Sequence, residues 1–465
     1  MKGSITHQEM PTARSVAASV LVRVARDEAF ASAALDAELD RAAQLKPRDR
    51  GLATELAYGV LRCGGYLEKR LTKFAPRGLG KLDDETRSHL LIGAYTLVFL
   101  DRIPAFAAVS EAVESVRRKR GLHLSKFVNA VLRKLADEVS STERVTIAQA
   151  LREAADPWLV KRIAKALGSR DQALDMIAAG PFPPPMGLRL RAGEDRAAWV
   201  SRLQIEIPQA YVRPGKVSPL CINVRGGGRP EDLPGSDLRT WTLQEEGSQL
   251  LALSLGALPG ERVLDACAGR GNKTSLLIER TTPGGLVDAA DLHPSKLEVL
   301  RQACISLGVA VHDTFPVDWS VGCGDVPDGY DRVLVDAPCS GTGTLRRRPE
   351  ILRKNLPVAM PQLQTLQTEI LVRAASRCRV GGRVVYAVCS VLQEEAEQVV
   401  ARACARVPGL IPAPFESPEV KALAGEEPSL RLLPHVHGTD GYFVASFVLQ
   451  EPPHNAHASS SELAE

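Results

Sequence analysis

A chain of 465 residues is longer than one hydrophobic core organises, so two or three domains are expected. With 45% hydrophobic and 24% charged residues, and 58 basic against 55 acidic side chains for a net charge of +3, the composition excludes a disordered or fibrous chain. The longest apolar run, Leu90–Leu100, has 11 residues where a membrane span needs about 20. Met1–Met10 has no apolar signal segment, and nine cysteines without a C-x-x-C pair suit neither a disulfide framework nor a zinc site. The expectation is a reduced, cytoplasmic protein with no metal and no membrane partner.

From Thr12 to Val139 apolar residues recur at three-and-four spacing. They predict helices over Ala13–Val24, Ala31–Ala43, Leu52–Arg62, Glu85–Leu100, Ala107–Arg118 and Lys126–Leu135, with Pro104 and Gly121 at the joins. Residues 1–142 are therefore read as an all-α domain. A further helix opens at Pro157-Trp158-Leu159, and the proline cluster Gly180–Pro185 ends that stretch. Alternating runs at Leu188–Arg191 and Leu220–Val224 flank a helix over Ala197–Leu203, so residues 143–235 read as a helical linker with a small α/β domain. Basic clusters stand at Arg117–Arg120 and Arg346–Arg348. They suit phosphate contacts, and a solvated face accounts for them as well.

From about Gly247 strands alternate with helices. Strands are expected at Arg262–Ala266, Leu286–Leu292, Asp331–Ala337, Arg383–Cys389 and Gly441–Leu449, with helices over Thr274–Glu279 and Pro361–Arg377. Such alternation with apolar strands implies a doubly wound, mostly parallel sheet over residues 236–450, with ligands beyond the carboxyl ends of its strands. The stretch 451–465 carries three acids and no Lys or Arg, and is expected to be a disordered acidic tail.

The chemistry gathers at those strand ends. The first strand leads from Asp265 into Cys267-Ala268-Gly269-Arg270-Gly271-Asn272-Lys273, whose glycines let a ligand approach the backbone before a helix begins. The second strand ends in Asp291, 26 residues after Asp265, where an acid suits ribose hydroxyls. Together they favour an adenosine-type cofactor. The third and fourth strands each run out to a cysteine, in Asp336-Ala-Pro338-Cys339-Ser-Gly-Thr-Gly343 and Tyr386-Ala-Val388-Cys389-Ser390. Two thiols beside a cofactor suit covalent catalysis on an electrophilic ring, while Cys63, Cys304 and Cys378 are expected to be inert core residues.

The combination of D-A-C-A-x-x-G-x-K, V-D-A-P-C-S-G-T-G and C-S-V-L-x-x-E-x-E resembles the RNA cytosine-C5 methyltransferases that use S-adenosylmethionine. Gly93-Ala-Tyr95, Arg102-Ile-Pro104, Val109-x-Glu111-Ala-Val113 and Phe127–Arg133 resemble a NusB-like RNA-binding domain. That pairing is similar to the small-subunit ribosomal RNA methyltransferase B subfamily (Sun/Fmu), as are Gln244–Gln249 and Leu433-Pro-His435…Gly438-Thr-Asp440-Gly441-Tyr-Phe443. The likeness covers about residues 12–450. The chain departs from the family's usual C-A-A-P-G-G-K at Gly269, Arg270 and Asn272, while Gly271 and Lys273 remain, and at Val388, where Thr is usual.

The resemblance implies a NusB-like all-α domain, a small α/β linker domain and a Rossmann-like methyltransferase domain. It implies methylation of carbon 5 of a 16S rRNA cytosine, numbered 967 by convention, by a monomer that acts on neither DNA nor membrane. It assigns the nucleophile to Cys389 and product release to Cys339. Residues Cys267 to Lys273 would bind the cofactor's methionine and adenosine portions, Asp291 its ribose, and Asp336 its charged end or the base. Asp318, 18 residues before Asp336, would bind the adenine amino group, with Asp313 as the second choice. Two rivals rank below this reading: a DNA-type enzyme with Cys339 as nucleophile, and a non-catalytic RNA-binding factor with a decayed cofactor loop.

Overall fold

Apolar side chains at helical spacing fold the first third of the chain as helices, each turned so that its apolar stripe meets the others. The computed structural model describes residues 10–75, 78–179, 183–237, 239–354 and 356–451. The tail expected from Glu451 onward, save that residue, the first nine residues and the first three of the proline cluster lie outside them. The chain divides into two compact units, Met1–Pro183 with Leu345–Lys354 and Pro184–Thr344 with Asn355–Glu465.

The first unit holds α1 (Ala13–Asp27), α2 (Ala31–Arg41), α3 (Pro47–Thr72), α4 (Asp84–Phe99), α5 (Ala105–Arg120), α6 (Leu122–Ser141), α7 (Ile147–Glu153), α8 (Pro157–Leu167) and α9 (Arg170–Ala178). Thr12 caps α1 in a reciprocal box with Ser15. Helix α4 buries Leu90, Leu91, Ile92, Ala94 and Tyr95 together, which explains an apolar run in place of a stripe. Val20, Leu56, Leu67 and Leu132 complete this core. Helix α3 outruns its expected span at both ends. Pro47 occupies the first turn, where its missing N–H costs nothing, and Tyr66, Leu67 and Leu71 carry the helix past Gly64 and Gly65 by burying into the core. The later segment Leu345–Lys354 belongs here too. Its 3₁₀ turn Pro349–Arg353 lies on α3, with Ile351 fully buried and Arg353 Nη2 3.1 Å from Glu68 Oε1.

The second unit opens with β1 (Met186–Leu190), α10 (Arg196–Glu206), β2 (Tyr211–Pro214), β3 (Cys221–Arg225) and β4 (Trp241–Leu243). The strands form an antiparallel sheet in the order β2-β3-β1-β4, and Trp199 and Leu203 of α10 pack on Leu188, Leu190, Ile222 and Val224. Residues 143–235, read from sequence as one intermediate domain, are thus divided at 183/184 between the two units.

There follow α11 (Glu246–Leu253), β5 (Arg262–Asp265), α12 (Asn272–Thr281), β6 (Leu286–Asp291), α13 (Pro294–Leu307), β7 (Asp313–Pro316), β8 (Tyr330–Asp336), α14 (Leu356–Ala375), β9 (Cys378–Val388), α15 (Glu397–Arg406), β10 (Leu410–Pro412), α16 (Pro418–Ala424), β11 (Ser429–Leu432), α17 (Pro434–His437) and β12 (Tyr442–Leu449). The sheet runs β10-β12-β9-β8-β5-β6-β7, and β11 pairs with β12. It is parallel from β9 through β7, while β10, β11 and β9 all meet β12 antiparallel. This is the doubly wound sheet that the alternation implies. Strand order reverses between β5 and β8, which opens a crevice beyond their carboxyl ends.

Candidate active site

Strand β5 ends in Asp265, whose Oδ2 accepts from Thr274 Oγ1 at 2.8 Å. Its Oδ1 is buried and has no hydrogen-bond partner among the described residues. Burial pushes this carboxyl up to about 6, against the pull of Thr274 and Lys273. The loop then turns back on β6: Ala268 N donates to Ala290 O at 2.9 Å, and Gly269 N to Asp291 Oδ2 at 3.1 Å. Gly271, at φ 88°, precedes α12 without a side-chain cap, so the helix's first N–H groups face the loop. A Cβ on Gly271 would stand 2.7 Å from Leu300 Cγ, so the turn has no room for a side chain. Arg270 is exposed, and the Cys267 thiol is pushed up by burial and by Asp265, Asp336 and Asp291.

Asp291 ends β6, with Oδ1 accepting from His293 N at 2.9 Å and Lys296 Nζ at 3.3 Å. Lys273, in the first turn of α12, places Nζ 2.6 Å from Asp336 Oδ2 at the end of β8. Burial pulls this ammonium down, but Asp336, Asp265 and Cys389 outweigh it and leave Lys273 above its ordinary value. Asp318 is exposed and makes no contact with these groups; its Oδ1 accepts from Ser320 N and Oγ, which holds the carboxyl low. The neighbouring Trp319 donates from Nε1 to Ala266 O at 2.7 Å, which ties this segment to the cofactor loop. Asp313 pairs with Asp288 in the β6–β7 register, three residues back from the Asp291 end.

Adjacent parallel strands β8 and β9 bring the two cysteines together, Cys339 three residues past β8 and Cys389 directly after β9. Both are half-buried, and their Sγ atoms are 3.1 Å apart. The hydrogen bond with Cys389, reinforced by burial, raises the Cys339 thiol well above its ordinary value, and either sulfur can be the donor.

Behind the thiols lies a buried polar network. Glu395, fully buried, accepts from Ser340 N at 2.7 Å and Gln367 Nε2 at 3.0 Å on Oε1, and from Ser340 Oγ on Oε2. Gln367 Nε2 also donates to Pro338 O at 2.9 Å, and Tyr386 OH donates to the Glu395 carbonyl at 2.7 Å. Thr342 Oγ1 and Ser390 Oγ meet at 2.9 Å, and Gly343 N donates to Cys389 O at 3.0 Å. A Cβ on Gly343 would lie 1.9 Å from Gly441 O, so these loops close without space between them.

Two residues of the site were not singled out from the sequence. Arg189 of β1 is fully buried and donates to Asn272 O at 2.8 Å, Gln244 Oε1 at 2.8 Å and Ser275 Oγ at 3.1 Å, which fixes the start of α12. Glu395 is the other; only its place in the family-like C-S-V-L-x-x-E stretch could have marked it. In the first unit the basic clusters are largely engaged. Arg118 pairs with Glu114, Lys119 with Glu85 and Arg120 with Asp83, while Arg117 is exposed. Arg346 is buried, and Arg348 lies over the Phe30 ring and beside Glu350.

Residues 252–448 match the family model of the 16S rRNA methyltransferase RsmB/F, and residues 11–137 that of the NusB family. The Klebsiella pneumoniae ribosomal RNA small subunit methyltransferase B is 30% identical over 413 residues, 87% of this chain and 91% of that protein. The Mycobacterium tuberculosis protein MT1451 is 34% identical over 452 residues, 93% of this chain and 96% of its own length. The crystal structure of PH0851 shares the fold with a TM-score of 0.76 at 20% identity, across 95% of this chain and 99% of that one. With its NusB-type helical unit and its Rossmann-like sheet, the chain belongs to the RsmB/F family of S-adenosylmethionine-dependent ribosomal RNA small-subunit methyltransferases.

Proposed function

We propose that the protein methylates carbon 5 of a cytosine in 16S rRNA, at the position numbered 967, through a covalent bond between Cys389 and carbon 6. The observation that carries this reading is the thiol pair, two sulfurs 3.1 Å apart at the ends of adjacent parallel strands. Carbon 5 of cytosine is too weak a nucleophile to take a methyl group unaided. Addition of Cys389 Sγ to carbon 6 moves ring electron density onto carbon 5. Bound S-adenosylmethionine supplies the electrophilic methyl group. Loss of the carbon-5 proton to solvent water acting as base then returns its bonding pair to the C5–C6 double bond, and the C6–S pair leaves on Cys389. In this reading Cys339 keeps its proton and eases the departure by donating its S–H as a hydrogen bond to the leaving thiolate 3.1 Å away.

The residues fit the methyl donor. Asp265 offers a buried oxygen without a partner, the glycine turn leaves the backbone open, and the start of α12 is uncapped. In this reading Cys267, Ala268, Gly269, Arg270, Gly271, Asn272 and Lys273 hold the methionine and adenosine portions. Asp291 holds the ribose hydroxyls and Asp336 the charged end. Asp318 takes the adenine amino group in preference to Asp313, because it follows the carboxyl end of β7 while Asp313 begins that strand. Bisulfite sequencing of rRNA from a deletion strain tests the assignment. Cytosine 967 is expected to lose protection in the deletion and regain it on complementation; unchanged protection there would exclude it.

A further inference from the structure

The loops that carry the two thiols are not held by their strands alone. Cys339 lies between Pro338, whose ring leaves no N–H to donate, and Ser340, whose N–H donates to Glu395 at 2.7 Å. Ser340 N and Oγ both donate to Glu395, and Gln367 joins the same carboxylate to the Pro338 carbonyl, so the residues before and after Cys339 are tied to one buried group. Glu395 itself lies six residues beyond Cys389 and is fixed through its own carbonyl by Tyr386, three residues before Cys389. We propose that Glu395 is the positioning residue of the thiol pair, holding Cys339 against Cys389 so that the methylated base can leave. Its carboxylate touches neither substrate nor sulfur; it acts through the backbone of the Cys339 loop.

The inference rests on the covalent reading above, in which Cys339 assists release. It makes a Glu395 substitution behave like loss of Cys339, not like a loss of stability. Glu395→Ala strands Ser340 N and leaves Gln367 Nε2 only its bond to Pro338 O, whereas Glu395→Gln keeps an oxygen for both donors and an amide to donate to Ser340 Oγ.

The test uses the full-length protein, unmethylated 16S rRNA and S-adenosylmethionine, read by single-turnover methyl incorporation and by denaturing electrophoresis of protein–RNA adducts. Glu395→Ala is expected to transfer the first methyl group, release product at least tenfold more slowly and accumulate an adduct like that of Cys339→Ala. Glu395→Gln is expected to recover most of the release rate. Should Glu395→Ala not fold by circular dichroism, Ser340→Ala carries the test, since it removes the Oγ contacts to Glu395 and Thr342 but keeps Ser340 N on the carboxylate; a several-fold slower release with a visible adduct is then expected. A parallel loss of first-turnover transfer and release without an adduct, or wild-type release, would overturn the proposal. The controls separate the two levels. An adduct in Cys339→Ala but in no Glu395 or Ser340 variant sinks the positioning role alone, and no adduct in Cys339→Ala removes the covalent reading and the proposal with it.

Discussion

Cys339 and Cys389 share one environment and meet opposite fates when replaced. Cys389→Ala is expected to abolish methylation and form no RNA adduct, whereas Cys339→Ala should transfer the methyl group and stall as a covalent complex. Denaturing gels with labelled RNA decide this, and the reverse pattern would make Cys339 the nucleophile. Asp265 yields a prediction about pH. Its carboxyl ionises near 3.8 in the unfolded chain and at about 6 in the cofactor-free fold. Between those values the folded protein keeps a proton that the unfolded chain has lost, so stability falls as pH rises through this window. The difference of about two units corresponds to about 3 kcal/mol, absent below pH 4 and fully expressed above pH 6. Asp265→Asn should therefore melt above the parent protein at pH 7.5, with the gap closing toward pH 4; a gap independent of pH would remove this role for burial. The two thiols and the strand-end acids were legible in the sequence because each sits in a short motif at a strand end. Arg189 and the role of Glu395 were not, because the groups that define them lie 83 and 55 residues away; Glu395 stands in the C-S-V-L-x-x-E stretch, but that motif names no partner for it.

At the scale of elements, what could be read depended on length and burial. Strands β6, β8, β9 and β12 are apolar runs buried on both faces, and their pattern survives in sequence alone. Strands β4, β7 and β10 have three or four residues each, too few to show a period, and exist because a neighbouring strand offers them a ladder. Helix α3 was underestimated because its ends are polar and it contains four glycines, Gly51, Gly59, Gly64 and Gly65, yet core contacts override both. The contact between the Gly343 and Gly441 loops was equally invisible, since it depends on two turns 98 residues apart. It has a sharp consequence for substitution. Gly343→Ala places a methyl group against a backbone oxygen that no rotamer can move, and is expected to cost about 1–3 kcal/mol and to misplace Cys389, whose carbonyl Gly343 binds. Chemical denaturation would show the loss, and a variant with the parent midpoint and activity would contradict it.

At the scale of the molecule, the first unit's part in RNA capture can be bounded by its own ion pairs. All four members of the Arg117–Arg120 cluster are exposed; three pair with acids, and Arg117 has no ion pair among the described residues. Replacing Arg117 by Gln is therefore expected to lower the slope of log affinity against log salt by about 0.7, one single-strand phosphate contact, while replacing the other three adds little. Filter binding of 16S rRNA across a salt series measures both, and an unchanged slope for Arg117→Gln would make the cluster a solvated helix end. The segment Leu345–Lys354 has a different consequence. Because it begins in one unit's sequence and is built into the other's core, the polypeptide passes between units at 183/184, at 344/345 and again at 354/355. The two units are therefore not separable cassettes. A gene cut at the first passage gives one fragment whose α3 has lost the turn that covers it, and a second that carries ten residues with nothing to fold upon. Exchange of the helical unit between relatives is therefore expected to need that ten-residue passenger with it, and a swap that leaves Leu345–Lys354 behind is expected to leave α3 uncovered.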